Sequence, residues 1–216
     1  MKEHLMKNRK KVTAIVGTYR KGGIIDTTVD AIIAAASEEG AEVRKIYLMD
    51  ANIEFCMNCR DCTQEPGQNR GQCRVADDMS AILDEIEAAD SIVLGSPMNF
   101  GTVTALMKRF IERLVCFAYW PWGTNAPKSR SNNKTKTAVL VASSMAPSWM
   151  ARPTTKMVAL LKQAASLLGA KTIGVLYVGM AAREEKQQIS AKIRNKARVL
   201  GKKLVADTGT QRAAGP

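Results

Sequence analysis

The run Val12-Thr13-Ala14-Ile15-Val16 constrains this chain more than any other stretch. It is short, apolar and rich in β-branched residues, the pattern of a strand buried on both faces. The run breaks at Gly17, and Thr18-Tyr19-Arg20-Lys21-Gly22-Gly23 follows as a polar loop. From Ile25 the apolar residues change to helical spacing, through Val29, Ile32, Ile33 and Ala36. A strand, a glycine-bearing loop and a helix start gather unpaired backbone N–H groups and the positive end of the helix dipole at one point. Thr18 adds a hydroxyl, and Arg20 a planar fork suited to phosphate oxygens. The stretch reads either as a phosphate-binding loop or as a tight strand-to-helix turn without a ligand. Two familiar nucleotide loops are excluded. Gly22 is followed by Gly23 and Ile24 rather than by Lys-Ser/Thr, and Tyr19 stands where a dinucleotide loop has its second glycine.

The same alternation continues along the chain. Helix is expected from about Asp26 to Gly40, and strand over Glu42 to Met49. A second helix carries Met79, Ile82, Leu83 and Ile86, capped by Asp77-Asp78. Ser91-Ile92-Val93-Leu94 reads as a strand stopped by Gly95-Ser96-Pro97. The next helix presents Val103, Leu106, Met107, Phe110, Ile111 and Leu114 on one face. After a long connection from Phe117 to Lys134 come a strand at Thr137 to Ala142, a helix around Thr154 to Leu168, a strand at Lys171 to Val178 and a helix from about Arg183 to Leu204. Five strands alternating with five helices make a parallel sheet covered on both faces. The economical topology is an α/β, flavodoxin-like three-layer sandwich with strand order 2-1-3-4-5. One domain is expected over residues 11–206, with tails at 1–10 and 207–216. Ligands in such sheets bind at the carboxyl ends of the strands. Three loops meet there: Gly17–Gly23, Gly95–Gly101 and Ser143–Ser148. The second combines apolar and amide groups, as a flat heteroaromatic ring requires.

Composition narrows the chemistry. No apolar run approaches the roughly 20 residues of a membrane span, and the charged N-terminus lacks the apolar region of a secretory signal. A cytoplasmic location and no membrane partner are expected. The formal charge is +12, much of it in the first residues (Lys2, Lys7, Arg9, Lys10, Lys11) and on the last helix, including Lys186 and Lys192. A solvated basic face is the first reading, attraction of anionic cofactors the second and nucleic-acid binding the third, since no nucleic-acid motif accompanies the charge. The one histidine, His4, lies in the N-terminal tail, so histidine-based catalysis is not expected. The hard chemistry must come from a cofactor.

Gly17-Thr18-Tyr19-Arg20-Lys21-Gly22-Gly23 and Gly95-Ser96-Pro97-Met98-Asn99-Phe100-Gly101 resemble the two flavin loops of the NADPH-dependent FMN reductase superfamily. Cys56-Met57-Asn58-Cys59-Arg60-Asp61-Cys62, followed by Cys73 and Asp77-Asp78-Met79, resembles its iron–sulfur flavoprotein branch. The motifs cover roughly Lys11 to Leu114. The resemblance implies that Thr18 and Arg20, with the Ile24–Ile25 backbone, hold an FMN phosphate. Pro97, Met98, Asn99, Phe100 and Gly101 would face the isoalloxazine ring, with Ser143, Ser144 and Met145 on its other side. Family loops often continue Gly-Asn-Thr; here Gly23-Ile24-Ile25 lacks one phosphate-binding hydroxyl, which backbone N–H groups or Thr27 must replace.

Four of the five cysteines crowd between Cys56 and Cys73, in a chain without an export signal, which favours metal or redox chemistry. Cys56, Cys59 and Cys62 match the first three positions of a cubane motif, with Cys73 as the fourth ligand of a [4Fe–4S] cluster. Free thiols without a cluster and a zinc site are the other readings. Cys116 reads as core. Tyr119, Trp120 and Trp122 read as a subunit interface, implying a homodimer or homotetramer. The function expected is an FMN-dependent oxidoreductase. It would take electrons from NAD(P)H or a reduced carrier and pass them to a small-molecule or protein acceptor. The alternative is a flavin-binding sensor with a cysteine switch.

Overall fold

A computed structural model describes residues 9–181, 183–184 and 187–206 of the chain. The expected tails beyond these, with His4, Lys2, Lys7 and Lys186, lie outside the described residues. In chain order the elements are β1 (Lys11–Val16), α1 (Ile24–Glu38), β2 (Glu42–Tyr47), α2 (Met79–Ala88), β3 (Ser91–Pro97) and α3 (Ala105–Arg113). There follow β4 (Ala118–Tyr119), β5 (Lys128–Ser129), β6 (Lys136–Ser143), α4 (Ser148–Thr154), α5 (Met157–Leu167), β7 (Ala170–Val178) and α6 (Ala191–Val205). Five strands form one parallel sheet in the order β2-β1-β3-β6-β7, the flavodoxin-like arrangement.

Period-two alternation in the strands decides which helix covers which face. Val12, Ala14 and Val16 of β1, with Val93, Val139, Val141, Leu176 and Val178, pack under α1 and α6. Ile15, Ile92, Leu94, Ala138, Leu140 and Ala142 point the other way and meet α2, α3 and α5. Both faces are dry, which is why β1 and β3 are almost continuously apolar.

Three boundaries differ from the sequence reading. Gly95-Ser96-Pro97 does not stop β3; it pairs with Val141-Ala142-Ser143 and carries the strand to Pro97, whose missing N–H matters little at a strand end. The helix expected around Thr154 to Leu168 starts later, as α5 at Met157, and a short helix, α4, precedes it over Ser148–Thr154. Thr155 makes the break: its Oγ1 accepts the Met157 N–H at 3.1 Å, starting α5, and donates to the Gly101 carbonyl at 2.5 Å. The last helix begins at Ala191, because Ser190 caps it by accepting the Ile193 N–H at 3.3 Å. Within the long connection, β4 and β5 form a short antiparallel ladder.

The closest helix contact lies between α1 and α6. A Cβ added at Gly201 would stand 2.8 Å from Ala35 Cβ and run into the Ile32 carbonyl. Gly201→Leu is therefore expected to destabilise the fold by about 1–3 kcal/mol or more through overpacking. A lowered urea midpoint with an unchanged slope would show it; an unchanged midpoint would contradict the packing described.

Candidate functional site

The carboxyl ends of β1, β3 and β6 are stitched into one surface. Gly17 N–H donates to the Gly95 carbonyl at 2.8 Å, and Thr104 Oγ1 donates to the Gly17 carbonyl at 2.6 Å. Thr104 N–H donates in turn to Ser96 Oγ at 3.1 Å, while Met98 N–H donates to the Ser143 carbonyl at 2.7 Å. Glycine is required at the two strand ends for space. A Cβ on Gly17 would lie 2.7 Å from Met107 Cβ, and one on Gly95 would lie 3.0 Å from Val29 and 3.1 Å from Ile25.

A cleft of about 320 Å³ opens where these ends meet. That is the lower end of the range for small-molecule sites, about 300–1,000 Å³. Of the residues singled out from sequence, Thr18, Arg20, Ile24, Ile25, Pro97, Met98, Asn99, Ser143, Ser144 and Met145 line it together. The helix start that faces it is bare: Gly23 at the N-cap supplies no side-chain cap. The first N–H groups of α1 therefore remain available to an anion. Thr18 is buried, and its hydroxyl oxygen accepts the Arg20 N–H at 3.2 Å, shaping the loop.

Thr27, Phe100 and Gly101 do not line the cleft. Thr27 Oγ1 donates to the Gly23 carbonyl at 2.9 Å, so its proton is committed to the helix backbone and does not replace the missing loop hydroxyl. Phe100 and Gly101, both at positive φ, form the exposed tip of a turn closed by Asn99 and Thr102. In addition Tyr19, Gly23, Ala181, Glu184 and Gln187 line the cleft. The last three follow β7, the strand beside β6, so the sheet order supplied the signal that would have found them. Ala181 N–H donates to the Ser144 carbonyl at 2.9 Å, and Gln187 Nε2 to the Met180 carbonyl at 2.9 Å.

The cysteine segment forms a separate lobe. Its four thiols are free, Cys62 buried and Cys56, Cys59 and Cys73 half-buried; Cys116, which follows α3, is also free and buried. Two buried arginines hold it. Arg113, from the end of α3, donates to the Glu54 carbonyl at 2.8 Å, to Asp77 and to Cys73 Sγ at 3.5 Å. Arg130 donates to the Cys116 carbonyl at 3.1 Å and the Cys62 carbonyl at 3.0 Å. Of the two aspartates expected to cap α2, Asp78 holds the N-cap position without a side-chain cap bond, and both act as tethers. Asp77 accepts the Met79 N–H at 3.0 Å and the Glu54 N–H at 2.8 Å, and Asp78 accepts the Asn52 N–H at 2.8 Å. Arg60, in the left-handed region with φ 63°, is stacked between Trp120 at 3.9 Å and Trp122 at 4.1 Å. The aromatic connection thus packs on the cysteine loop of its own chain.

Burial raises the Cys62 thiol to about 11, with Cys73, Cys56 and Cys59 adding to the effect. Burial likewise raises Cys116 to about 12, and Cys62 is the next contributor. Cys116, which the helical pattern assigns to core, is therefore core and also an electrostatic neighbour of Cys62 and Cys73. Among the described residues, however, no group of three or more His, Cys, Asp or Glu side chains is arranged to hold a metal ion. A larger recess of about 1110 Å³ opens beside Cys73 and Cys116. Its arginines are already paired, Arg70 with Asp84 and Glu87 and Arg113 with Asp77, so the smaller cleft is the better anion site.

A doubly wound sheet with a polar, glycine-bearing loop and an uncapped helix start at its switch point has the architecture of the mononucleotide-binding class of α/β protein. The match of residues 10–185 to the model of the NADPH-dependent FMN reductase family places the chain more closely: it belongs to that family. An iron–sulfur flavoprotein of Methanocaldococcus jannaschii is 37% identical over 103 residues, 48% of this chain and 51% of the relative. One from Archaeoglobus fulgidus is 32% identical over 111 residues, 51% of this chain and 48% of the relative. The matched segments thus span about half the length of these relatives. Among solved structures, an FMN-dependent NADH-azoreductase from Bacillus anthracis in complex with FMN superposes with a TM-score of 0.68 at 12% identity, covering 91% of this chain and 100% of that one. A flavodoxin from the domain Archaea gives 0.52 at 12% identity, covering 91% and 96%. At these identities the two structures establish the shared fold. No helix among the described residues is long and apolar enough to cross a membrane.

The Asp77–Arg113 pair gives a test of the lobe. Burial opposes ionisation of Asp77, but Arg113 and the Glu54 and Met79 N–H groups hold its carboxyl below the usual range. Such a group stabilises fully above its unfolded pKa of about 4, and the contribution is lost as pH falls through the depressed folded value. Hydrogen-exchange protection of the cysteine loop is expected to hold down to about pH 4 and to fail below it. Arg113→Met strands a buried carboxylate and is expected to cost about 3–5 kcal/mol at neutral pH, read from urea unfolding.

Proposed function

We propose that this chain is an FMN-dependent oxidoreductase, drawing on NAD(P)H or a reduced carrier and serving a small-molecule or protein acceptor. One observation carries the reading: the bare start of α1 and the loops after β1, β3 and β6 converge on a single cleft. Its residues suit FMN. Thr18 and Arg20, with the first N–H groups of α1, offer donors to a phosphate. Pro97 and Met98 offer an apolar wall to a ring, and Ser143, Ser144 and Met145 close the opposite side. Flavin, when bound, supplies the redox chemistry, which no side chain in the cleft supplies by itself.

The proposal extends to Cys56, Cys59, Cys62 and Cys73 as candidate ligands of a [4Fe–4S] cluster. Support comes from their spacing and their mutual electrostatic influence on Cys62. Ligation would require the loop to draw the thiols together. Iron and sulfide analysis of anaerobically purified protein is expected to give stoichiometric iron. Its absence would remove the cluster and leave the flavin site standing.

The flavin site is tested by fluorescence titration of flavin-free protein with FMN and with riboflavin. FMN is expected to bind more tightly than riboflavin. Arg20→Ala is expected to weaken FMN about tenfold or more, by loss of charge-assisted hydrogen bonds, with little change for riboflavin. Failure of the unmodified chain to bind FMN would overturn the proposal.

A further inference from the structure

An acidic side chain stands at the one place where a phosphate site should not tolerate it. Asp26 lies in the first turn of α1, the end turned toward the cleft. It suits the helix dipole but opposes an anionic ligand. Asp26 is buried, and its Oδ2 accepts the Gly22 N–H at 2.6 Å, so the carboxylate ties the phosphate loop back from behind. Gly22 sits at φ +75° with nothing within 4 Å of an added Cβ, so glycine serves the conformation there rather than the space.

The charge of Asp26 is met from the neighbouring strand. Lys45 of β2 pairs with Asp26 and, at 2.5 Å, with Asp30. Its ammonium lies 4.7 Å from the centre of the Tyr47 ring. Lys21 of the loop covers the same ring at 4.8 Å and pairs with Asp50 at 2.6 Å. Burial opposes the charge on Asp26, yet Lys45, the Gly22 N–H and Tyr47 hold its carboxyl below the usual range. Burial also opposes the charge on Lys45, yet Asp26, Asp30 and Tyr47 hold its ammonium above the usual range. Both groups are ionised at neutral pH. Neither lines the cleft.

We propose that Lys45 is a positioning residue for the phosphate of the bound cofactor, acting through Asp26. Neutralised by Lys45, Asp26 holds the Gly22 turn in its binding shape without presenting an uncompensated negative charge to the phosphate. The proposal rests on the flavin reading of the cleft. It adds a second-strand residue, outside the loop motif, that sets how well the loop accepts an anion.

The test compares FMN with riboflavin, which lacks the phosphate, in fluorescence titrations at low salt. Lys45→Met is expected to weaken FMN about tenfold or more, because a buried carboxylate near the phosphate loses its counter-charge, while riboflavin changes less than about twofold. Lys45→Arg is expected to stay near the unmodified protein. The double variant Asp26→Asn/Lys45→Met is expected to recover FMN binding, since a neutral amide oxygen still accepts the Gly22 N–H. Unchanged FMN binding in Lys45→Met overturns the proposal. So does equal loss of both ligands, or a double variant that does not recover. Should Lys45→Met fail to fold, Asp26→Asn alone decides. FMN tightened several-fold with riboflavin unchanged upholds the proposal; FMN unchanged or weakened overturns it. An unmodified chain that binds neither flavin overturns the flavin reading itself, and is thereby told apart from failure of the Lys45 proposal alone.

Discussion

The candidate site depends on how closely the ends of β1 and β3 approach the helices that cover them. Gly17 and Gly95 have no side chain because Met107 on one face, and Ile25 and Val29 on the other, occupy the space a Cβ would need. That contact draws the β1–α1 and β3–α3 loops together, and the Thr104 hydroxyl and the Gly17 N–H lock the approach with hydrogen bonds. A larger residue at either position would push a helix off the sheet and open the cleft. Core packing and ligand geometry are here one constraint, because interiors packed to crystal density transmit such displacements.

The cysteine lobe is organised differently. It has little regular structure of its own, and polar anchoring adds to the packing of Ile53 and Cys62. Arg113 and Arg130 are buried because their guanidinium groups satisfy loop carbonyls that neither helix nor sheet can reach. A loop held this way keeps a defined path, with Cys62 packed into the core and Cys56, Cys59 and Cys73 half-buried. The left-handed residues Asn58 and Arg60 flank Cys59. The Trp120–Arg60–Trp122 stack gives the aromatic connection a purpose within one chain.

Much of this was legible beforehand. The strand order followed from β-branched runs alternating with helical spacing, because a sheet dry on both faces leaves few topologies. Most of the cleft was legible too, since glycine and polar residues cluster at the carboxyl ends of β1, β3 and β6. What escaped were residues whose role depends on a distant partner. Arg113 looks like a polar position on an amphipathic helix, and only Asp77 and the Glu54 carbonyl explain its burial. The hydroxyl missing from the loop points to backbone N–H groups or Thr27 as its replacement, but α1 turns the Thr27 hydroxyl onto the Gly23 carbonyl. Phe100, which the flavin-loop resemblance assigns to the ring, stands on an exposed turn.

By itself the sequence determined the parallel α/β architecture and the three loops that meet at the switch point. These depend on local periodicity and on the placement of glycine, which neighbouring residues fix. Only the tertiary structure decided that Glu184 and Gln187 join the cleft, that Cys116 shares an environment with Cys62 and Cys73, and that Lys45 answers Asp26. Each of these pairs residues from separate elements. Their meeting is set by sheet register and helix packing, on which no local pattern of residues reports.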